Sequence, residues 1–393
     1  MSQIILWGIL VLILGISLFK VTFAKKGEWH EDFLSLSSSK AVLGIAAVLI
    51  VVHHIAQLMG NIGMEQGPFG FLEYIGVSLV GLFFFFSGYG LFSSIKNKEG
   101  YFNGFLKKRL TTILVPFYFI IVIFVVFSLL SGIPMTPTEM IAYLSGWWLL
   151  NNQMWYVVEI ACFYIVFYLI FKNVKNKNVG LLLMGLFIGV FVCASILVGH
   201  GAECECDKWL QGEWWFNTSF MLLIGMIFAH NEERLLRFAK KYYAICLLVC
   251  MIAAIGFAIP TIHMVDEGFY YCEYADGFAL SKIFCIKLMT LAVQFAMVFF
   301  FDMTVLLLMM KVKCKNVVLD QLGRVSLVLY LSHNLFLIMF GYMQVGNIKD
   351  PGIFAVVVIA CAIVAAFLLQ IPISAITKAF LHLQFRKTPQ KNM

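Results

Sequence analysis

The chain has 393 residues, of which 62% are hydrophobic and only 12% are charged. Soluble domains usually contain about 45–50% apolar and about 25% charged residues. This composition therefore excludes a water-soluble enzyme, and it also excludes a disordered chain, which needs the opposite composition. The formal net charge of +7 would suit a nucleic-acid ligand on a soluble protein, whereas on a membrane protein basic cytoplasmic loops explain it.

Apolar stretches recur along the whole chain, and eleven of them have or approach the roughly 17–25 residues that a membrane-spanning helix needs. They predict an all-α, polytopic transmembrane helix bundle of about 11 spans. In chain order the stretches are 4–19, 41–59, 69–92, 111–131, 154–171, 179–199, 214–229, 242–262, 283–309, 325–345 and 352–375. The apolar segment 141–150 is too short to span and is predicted to be re-entrant or interfacial.

The first stretch resembles a signal peptide in length but not in its flanks. No residue before Lys20 is charged, and no convincing cleavage site follows, so we interpret the stretch as a retained helix.

Basic residues occupy alternate loops, which predicts the orientation of the chain. Of the 28 Lys and Arg residues, 24 flank one set of loops, and only Lys208, Lys282 and Lys349 lie in the opposite set. The positive-inside rule then places the N-terminus outside and the C-terminus in the cytoplasm. The basic excess is therefore topological, and no nucleic-acid partner is predicted.

Ten cysteines are present, and six of them lie inside predicted spans, where Cys acts as a small apolar residue. Three others lie in the two long outer loops. A disulfide from Cys204 or Cys206 to Cys272 and three free thiols are both compatible with the sequence. No metal site is predicted, because a Cys-x-Cys pair without a nearby His is weak evidence for one.

Ionisable residues inside a membrane are costly, so each one requires a reason. Lys287 is predicted to extend to the outer surface. Asp302 is predicted to be interfacial or paired with a basic loop, and Glu159 to make a structural hydrogen bond or a substrate contact. The complete set in the predicted spans is His53, His54, Glu73, Glu159, Lys287, Asp302 and His333.

The adjacent His53 and His54 point about 100° apart on a helix, so at least one can face the interior of the bundle. His54 is 14 residues beyond Lys40, which places the pair in the outer part of the bilayer. A neutral imidazole there can act as a general base toward a hydroxyl. Glu73 enters the next span from the outer side, and its depth predicts that it orients one of the two rings.

A second cluster of candidate residues lies in the cytoplasmic loop before the fourth stretch. Lys107 and Lys108 are explained by topology alone, but Arg109 sits at the mouth of the span, where its guanidinium can bind phosphate. Together with Lys40 it predicts a phosphate-rich donor that arrives from the cytoplasm.

Four segments together resemble the family-3 membrane acyltransferases, the integral-membrane O-acyltransferases of bacteria. Residues 40–54 resemble the family's opening helix, in which an Arg and a His are separated by ten residues. Residues 77–89 resemble its Phe-rich helix ending in Ser-Gly-Tyr, and 105–116 resemble its basic loop with a following Pro. Residues 322–333 resemble its late helix with Ser, Tyr, Leu and His. The order covers about residues 36–375.

The sequence departs from the family pattern in two places. When Gly44 is aligned with the family's Gly, His54 falls on the motif His, but Leu43 stands where the Arg belongs. Lys40 lies one turn earlier on nearly the same face and can supply the charge. The family core has ten helices, so residues 1–35 hold an added N-terminal helix with its loop. Residues 36–378 form the predicted acyltransferase domain, and 379–393 a basic cytoplasmic tail.

The resemblance implies transfer of an acyl group, commonly acetyl, from cytoplasmic acyl-CoA to a hydroxyl of a cell-envelope sugar, in a bacterial plasma membrane. His54, with His53 and Glu73, is the implied catalytic group, either as general base or as acyl carrier. The implied donor-binding residues are Lys40, Ser87, Tyr89, Lys108, Arg109 and His333.

Two alternative functions use the same features. A transporter also has many spans and intramembrane ionisable residues, although no repeated half is visible in this sequence. A non-enzymatic membrane sensor is the other alternative.

Overall fold

The structure is a computed structural model that describes residues 2–198, 218–266 and 280–383. These residues form thirteen α-helices and one two-stranded antiparallel sheet. The helices are α1 (Ser2–Leu18), α2 (Leu36–Asn61), α3 (Gly76–Asn97), α4 (Phe105–Leu130), α5 (Pro137–Leu144), α6 (Trp155–Asn173), α7 (Lys177–Val198), α8 (Phe220–His230), α9 (Glu232–Lys241), α10 (Tyr243–Asp266), α11 (Leu280–Lys311), α12 (Val317–Leu337) and α13 (Pro351–His382). The strands are β1 (Thr22–Phe23) and β2 (Val312–Lys313).

The predicted helical membrane bundle is confirmed. Within the described ranges, nine helices are long and apolar enough to cross a membrane. Two shorter apolar helices, α1 with 17 residues and α8 with 11, coincide with the first and seventh predicted stretches. The chain is therefore a multi-pass membrane protein, while the number of spans and their orientation stay predictions.

Local sequence explains where the central helices begin. Ser35, Asn316 and Asp350 each accept a hydrogen bond from a backbone N–H three residues later, at the starts of α2, α12 and α13. Such caps satisfy one of the otherwise unpaired N–H groups of a first helical turn. Two of the capped helices, α2 and α12, carry the residues of the candidate site.

The helices α2, α3 and α12 lie at the centre of the bundle. Aromatic side chains fill the space around α3, where Phe84, Phe85 and Phe92 are fully buried. Glycine allows the closest approach of α3 to α8, because a Cβ on Gly88 would lie 1.9 Å from the carbonyl oxygen of Leu222. Small residues at helix contacts are the usual means of close packing in membranes.

The segment after α5 enters the bundle. No residue of α5 is buried, but Leu149 and Asn151 are 3% and 1% exposed. The chain then forms a 3₁₀ turn at Asn152–Met154 and continues into α6. The predicted re-entrant or interfacial segment thus has an exposed helix followed by a buried return.

Two intramembrane predictions were wrong. Lys287 is 2% exposed rather than extended to the surface, and Asp302 is fully buried. Asp302 lies against α3 at Gly81, whose missing side chain leaves room for the carboxyl group. Neither of its oxygens has a hydrogen-bond partner among the described residues, so it is neither interfacial nor paired. The loop residues Cys204, Cys206 and Cys272 lie outside the described residues.

Candidate active site

A glycine contact brings α2 and α12 together. A Cβ on Gly44 would lie 2.8 Å from the Gly323 backbone nitrogen, and a Cβ on Gly323 would lie 2.3 Å from the Lys40 carbonyl oxygen. The two backbones therefore touch at this point. His54 and His333 each lie ten residues beyond their glycine, so two parallel helices carry both rings to the same depth.

The rings of His54 and His333 are hydrogen bonded to each other. The Nε2 atom of His333 lies 2.9 Å from the Nδ1 atom of His54, and the two rings stack with centroids 4.9 Å apart. His333 is fully buried, whereas His54 is partly exposed. The sequence resemblance assigned these histidines different roles, and the structure places them in one pair.

The surrounding acceptors determine which nitrogen carries each proton. The Nδ1 atom of His333 lies 3.2 Å from the Leu329 carbonyl oxygen and 2.7 Å from that of Tyr330. Carbonyl oxygens only accept, so this Nδ1 donates and Nε2 of the neutral ring accepts. His54 must then donate from Nδ1, and its Nε2 keeps a free lone pair. That lone pair is the basic atom of the pair, and no described residue donates to it.

His53 has a separate environment. Its Nδ1 lies 3.0 Å from the Leu72 carbonyl oxygen, and its Nε2 lies 2.3 Å from where a Cβ on Gly76 would be. The ring is 8% exposed and fills the space at the start of α3. This geometry is that of a packed residue that holds the Gly67–Leu72 turn to α2.

The predicted pairing of Glu73 with a histidine ring is not formed. The Glu73 carboxylate accepts a hydrogen bond of 2.7 Å from Gln66 Nε2, which also donates to the Ala56 carbonyl oxygen at 2.8 Å. The carbonyl oxygen of Leu72, rather than the Glu73 carboxylate, is the hydrogen-bond partner of the His53 ring. The prediction placed Glu73 inside a span, but α3 begins only at Gly76, and Glu73 lies in the turn before it, beside Gln66.

A cavity of about 800 Å³ lies between α2, α3, α4, α6 and α12. One end is lined by exposed residues such as Asn97, Lys98 and Asn103, and the other by buried Tyr330 and Ile160. Five of the six predicted donor-binding residues line it: Lys40, Ser87, Tyr89, Lys108 and Arg109. The sixth, His333, lies one turn beyond Tyr330. No carboxylate is among the lining residues.

Two tyrosines hold the Arg109 side chain. Its Nη2 donates to the Tyr101 hydroxyl at 2.9 Å, and its guanidinium lies 5.5 Å from the centroid of the Tyr164 ring. Both tyrosines line the same cavity. Among the described residues no acidic side chain forms an ion pair with Arg109, Lys40 or Lys108, so their charge is available to an anionic ligand. Leu43, in the position of the family's Arg, lines the cavity beside Lys40.

A hydrogen-bonded network fixes the buried return segment to α12. Asn151 donates to the Leu331 carbonyl oxygen at 3.3 Å and accepts from Asn334 Nδ2 at 2.8 Å. Tyr330 donates to the Gln153 carbonyl oxygen. We did not predict these residues as part of the site. The sequence signal for Tyr330 was its place in the motif of residues 322–333, three residues before His333 and so on nearly the same side of α12.

Glu159 is a second buried polar group in this region. It is fully buried in α6 and accepts a hydrogen bond from the Ser219 hydroxyl at the start of α8. The structural hydrogen bond, one of the two predicted roles, is therefore present.

Comparison with known proteins gives one match. A family model described as "Acyltransferase domain" matches residues 41–371, which is most of the chain. Comparisons with curated proteins and with solved structures found no match.

Proposed function

This chain belongs to the family-3 acyltransferases, and from that membership we propose that it is an O-acyltransferase that uses acyl-CoA, most simply acetyl-CoA. The family makes the protein a membrane acyltransferase, which leaves the transporter and sensor alternatives without support. We further propose the identity of the acyl donor, the class of the acceptor and the roles of individual residues.

The cavity supports acyl-CoA as donor. Lys40, Lys98, Lys108 and Arg109 line it without any lining carboxylate, which favours a ligand with several phosphate groups. The opposite end is largely buried and apolar, with Ile50, Phe83 and Ile160 beside Tyr156 and Tyr330. Neither ring lines the cavity, but Ile50 and Tyr330 lie about one turn before His54 and His333 on their helices. A thioester that enters with its phosphates at the basic end would therefore have its acyl group next to the histidine pair.

The hydrogen bond between His333 and His54 carries the proposal, because it leaves a lone pair on His54 Nε2. In the proposed reaction this nitrogen takes the proton of an acceptor hydroxyl while the oxygen attacks the thioester carbonyl carbon. The tetrahedral intermediate breaks its C–S bond, and the proton on His54 passes to the departing CoA sulfur. The products are an ester and free CoA, with no net gain or loss of protons.

We propose that His54 acts as a general base rather than as an acyl carrier. His333 accepts from the Nδ1–H of His54 and thereby orients the ring and stabilises the imidazolium form that arises during transfer. An acyl group on Nε2 would also be compatible with this hydrogen bond, but direct transfer needs no separate acyl-imidazole intermediate. We therefore propose direct transfer.

The proposed acceptor is a hydroxyl of a cell-envelope carbohydrate, and the proposed location is the bacterial plasma membrane. His54 lies 14 residues along α2 from Lys40, or about 21 Å at 1.5 Å per residue. With Lys40 at the predicted cytoplasmic edge, this separation puts the basic nitrogen in the outer part of the bilayer. An acceptor from the outer side can then meet a donor from the cytoplasm.

Transfer of label from acetyl-CoA to a panel of envelope glycans tests this proposal with purified protein in detergent. We expect His54→Ala to lower the transfer rate about 10²-fold or more, as for loss of a general base. His382→Ala removes an exposed histidine at the end of α13 and is the matched control. Undiminished transfer by a folded His54→Ala protein would contradict the assignment of His54 as the general base.

A further inference from the structure

The short helix α9 (Glu232–Lys241) has no buried residue and connects α8 to α10. At 100° per residue its side chains fall into four separate stripes. Leu236 and Ala239 form the inner stripe, which packs against the hydrophobic core. The three other stripes face away from the core and differ in chemistry.

Two polar contacts fix how α9 sits on the bundle. Glu232, on the inner stripe, accepts a hydrogen bond of 3.0 Å from the Tyr89 hydroxyl. Lys240, on a neighbouring stripe with Glu233, donates to both oxygens of Glu31 at 2.7 and 2.8 Å. The helix is thus held both to α3 and to the loop that joins α1 to α2.

The second stripe is apolar and exposed. Leu235, Phe238 and Tyr242 are 36%, 57% and 40% exposed, and they follow one another at the i, i+3, i+7 spacing of one helix face. Large apolar side chains exposed along one helix face favour contact with lipid acyl chains over contact with water.

The third stripe is basic and lies opposite the core. Arg234, Arg237 and Lys241 also follow the i, i+3, i+7 spacing. Within the described residues none of them forms an ion pair, and Lys241 lies 5.0 Å from the centroid of the Tyr242 ring. Three uncompensated cations therefore stand about a quarter turn from an exposed apolar stripe.

We propose that α9 lies at headgroup level and binds the phosphate groups of anionic phospholipids through Arg234, Arg237 and Lys241. Its apolar stripe then contacts the acyl chains of the same lipids, and the paired Glu31–Lys240 stripe faces the aqueous phase. This arrangement of basic and apolar faces is that of an interfacial helix. The charge of the stripe selects anionic over zwitterionic lipid.

The same helix connects the lipid surface to the donor cavity, a step that rests on the proposed function. Glu232 holds the hydroxyl of Tyr89, and Tyr89 lines the cavity. Anionic lipid bound to the basic stripe restricts the position of α9. Because Glu232 of α9 accepts a hydrogen bond from Tyr89, it also restricts the position of that part of the cavity wall. The affinity for acyl-CoA should therefore depend on anionic lipid.

Retention of phosphatidylglycerol by the purified protein, measured by native mass spectrometry, tests the lipid site. Because a basic side chain that binds a lipid headgroup contributes about 1 kcal/mol, we expect about fivefold weaker retention for each residue neutralised in α9. The test variant is Arg234→Gln, Arg237→Gln and Lys241→Gln together. The matched control, Lys172→Gln, Lys175→Gln and Lys177→Gln, removes equal charge from another basic loop. Equal retention by the test variant and the control would overturn the site.

Acetyl-CoA binding in nanodiscs tests the connection to the cavity. We expect the Kd of the wild-type protein to differ at least twofold between phosphatidylcholine alone and phosphatidylcholine with one quarter phosphatidylglycerol. Glu232→Ala should retain the lipid but lose this difference. The same difference in both proteins would overturn the connection. Absence of acetyl-CoA binding in either lipid would overturn the proposed donor and the connection together, while lipid retention decides the lipid site separately.

Discussion

His54 keeps a basic nitrogen because every other ring nitrogen in its series of hydrogen bonds already has a partner. Two carbonyl oxygens take the proton of His333, His333 takes the proton of His54, and only Nε2 of His54 is left. The order resembles a catalytic triad in which a neutral imidazole and two backbone carbonyls replace the carboxylate. Among the described residues no carboxylate is hydrogen bonded to either ring, so the pair avoids the cost of a carboxylate in the membrane.

Substitution of His333 tests this order at the level of kcat. His333→Leu removes the acceptor for His54 Nδ1–H, so we expect kcat to fall about 10²-fold as orientation of the base is lost. His333→Gln supplies an amide oxygen and should recover part of that loss. The KM for acyl-CoA should change little, since His333 does not line the cavity. An unchanged kcat for His333→Leu, measured by steady-state kinetics, would contradict this role.

Arg109 is the proposed donor-binding residue whose side-chain position the structure defines most sharply. Its guanidinium is held by the Tyr101 hydroxyl and the face of the Tyr164 ring, an arrangement that lysine cannot reproduce. We expect Arg109→Lys to raise the KM for acyl-CoA about tenfold, as for loss of a charged hydrogen bond. The kcat should stay near the wild-type value. A lowered kcat with unchanged KM would place Arg109 in the chemical step instead.

At the scale of the helix, the contact between Gly44 and Gly323 sets the relative position of α2 and α12. Both glycines lie where a Cβ would meet the backbone of the other helix. A backbone cannot move aside as a flexible side chain can, so any larger residue must separate the helices. The distance between the two histidine rings depends on this contact.

Gly323→Ala should therefore affect stability and catalysis together. We expect the free energy of unfolding to fall by about 1–3 kcal/mol, the usual cost of overpacking, and kcat to fall with it. Gly256→Ala is the matched control, because a Cβ at Gly256 in α10 meets nothing within 4 Å. Thermal melts in detergent and transfer assays measure the two effects. Equal melting temperatures for the two variants would contradict a close crossing at Gly323.

At the scale of the molecule, the loop from α1 to α2 ties distant helices together. Its strand β1 pairs with β2 after α11, with Thr22 opposite Lys313. Asp32 accepts from Lys313 Nζ at 2.5 Å, and the Lys311 ammonium lies 3.8 Å from a Trp29 ring centroid. These contacts join the ends of α1, α2, α11 and α12 on one side of the bundle.

The ion pair in this loop predicts a small dependence of stability on pH. The Lys313 ammonium lowers the pKa of the Asp32 carboxyl below its usual value of 3.8. The stabilisation is therefore complete above the pKa of the unfolded chain and is lost as the pH falls through the lower folded pKa. Both side chains are partly exposed, at 25% and 53%, so we expect Asp32→Asn to lower the melting temperature by only about 2 °C at neutral pH.

That difference should disappear in strong acid, where Asp32 of the wild-type protein is protonated as well. Glu99→Gln removes an exposed carboxylate for which the structure gives no ion pair among the described residues, and it serves as the control. A difference that persists at the lowest pH would show that Asp32 acts through something other than its charge.

The sequence predicts the helices well because length and hydropathy are local properties. It also predicts residues that line the cavity: Arg109 from the family motif, and Lys40 from its place one turn before the position of the motif Arg. The contact between His54 and His333 could not be predicted, since 279 positions separate them and no local pattern reports which helices touch.

The predicted depth of a residue in the membrane indicates its neighbours less well than the order of the sequence motifs does. Counting residues from a membrane edge assumes that the residue lies within the spanning helix. Glu73 lies instead in the turn before α3 begins at Gly76, and its carboxylate contacts Gln66 in place of a histidine. The burial of Asp302 depends on the space beside Gly81 on α3. That space arises from the packing of two helices, which no local sequence pattern reports.

The glycine contact also makes the distance between the two histidine rings sensitive to the angle between α2 and α12. Each ring lies ten residues beyond the contact, which is a lever arm of about 15 Å. A change of about 2° in the angle between α2 and α12 would then move the rings apart by about 0.5 Å, the tolerance to which a catalytic pair must be held. A ligand that wedges between these two helices near Lys40 and Gly323, where both line the cavity, would consequently strengthen or break the hydrogen bond at a distance.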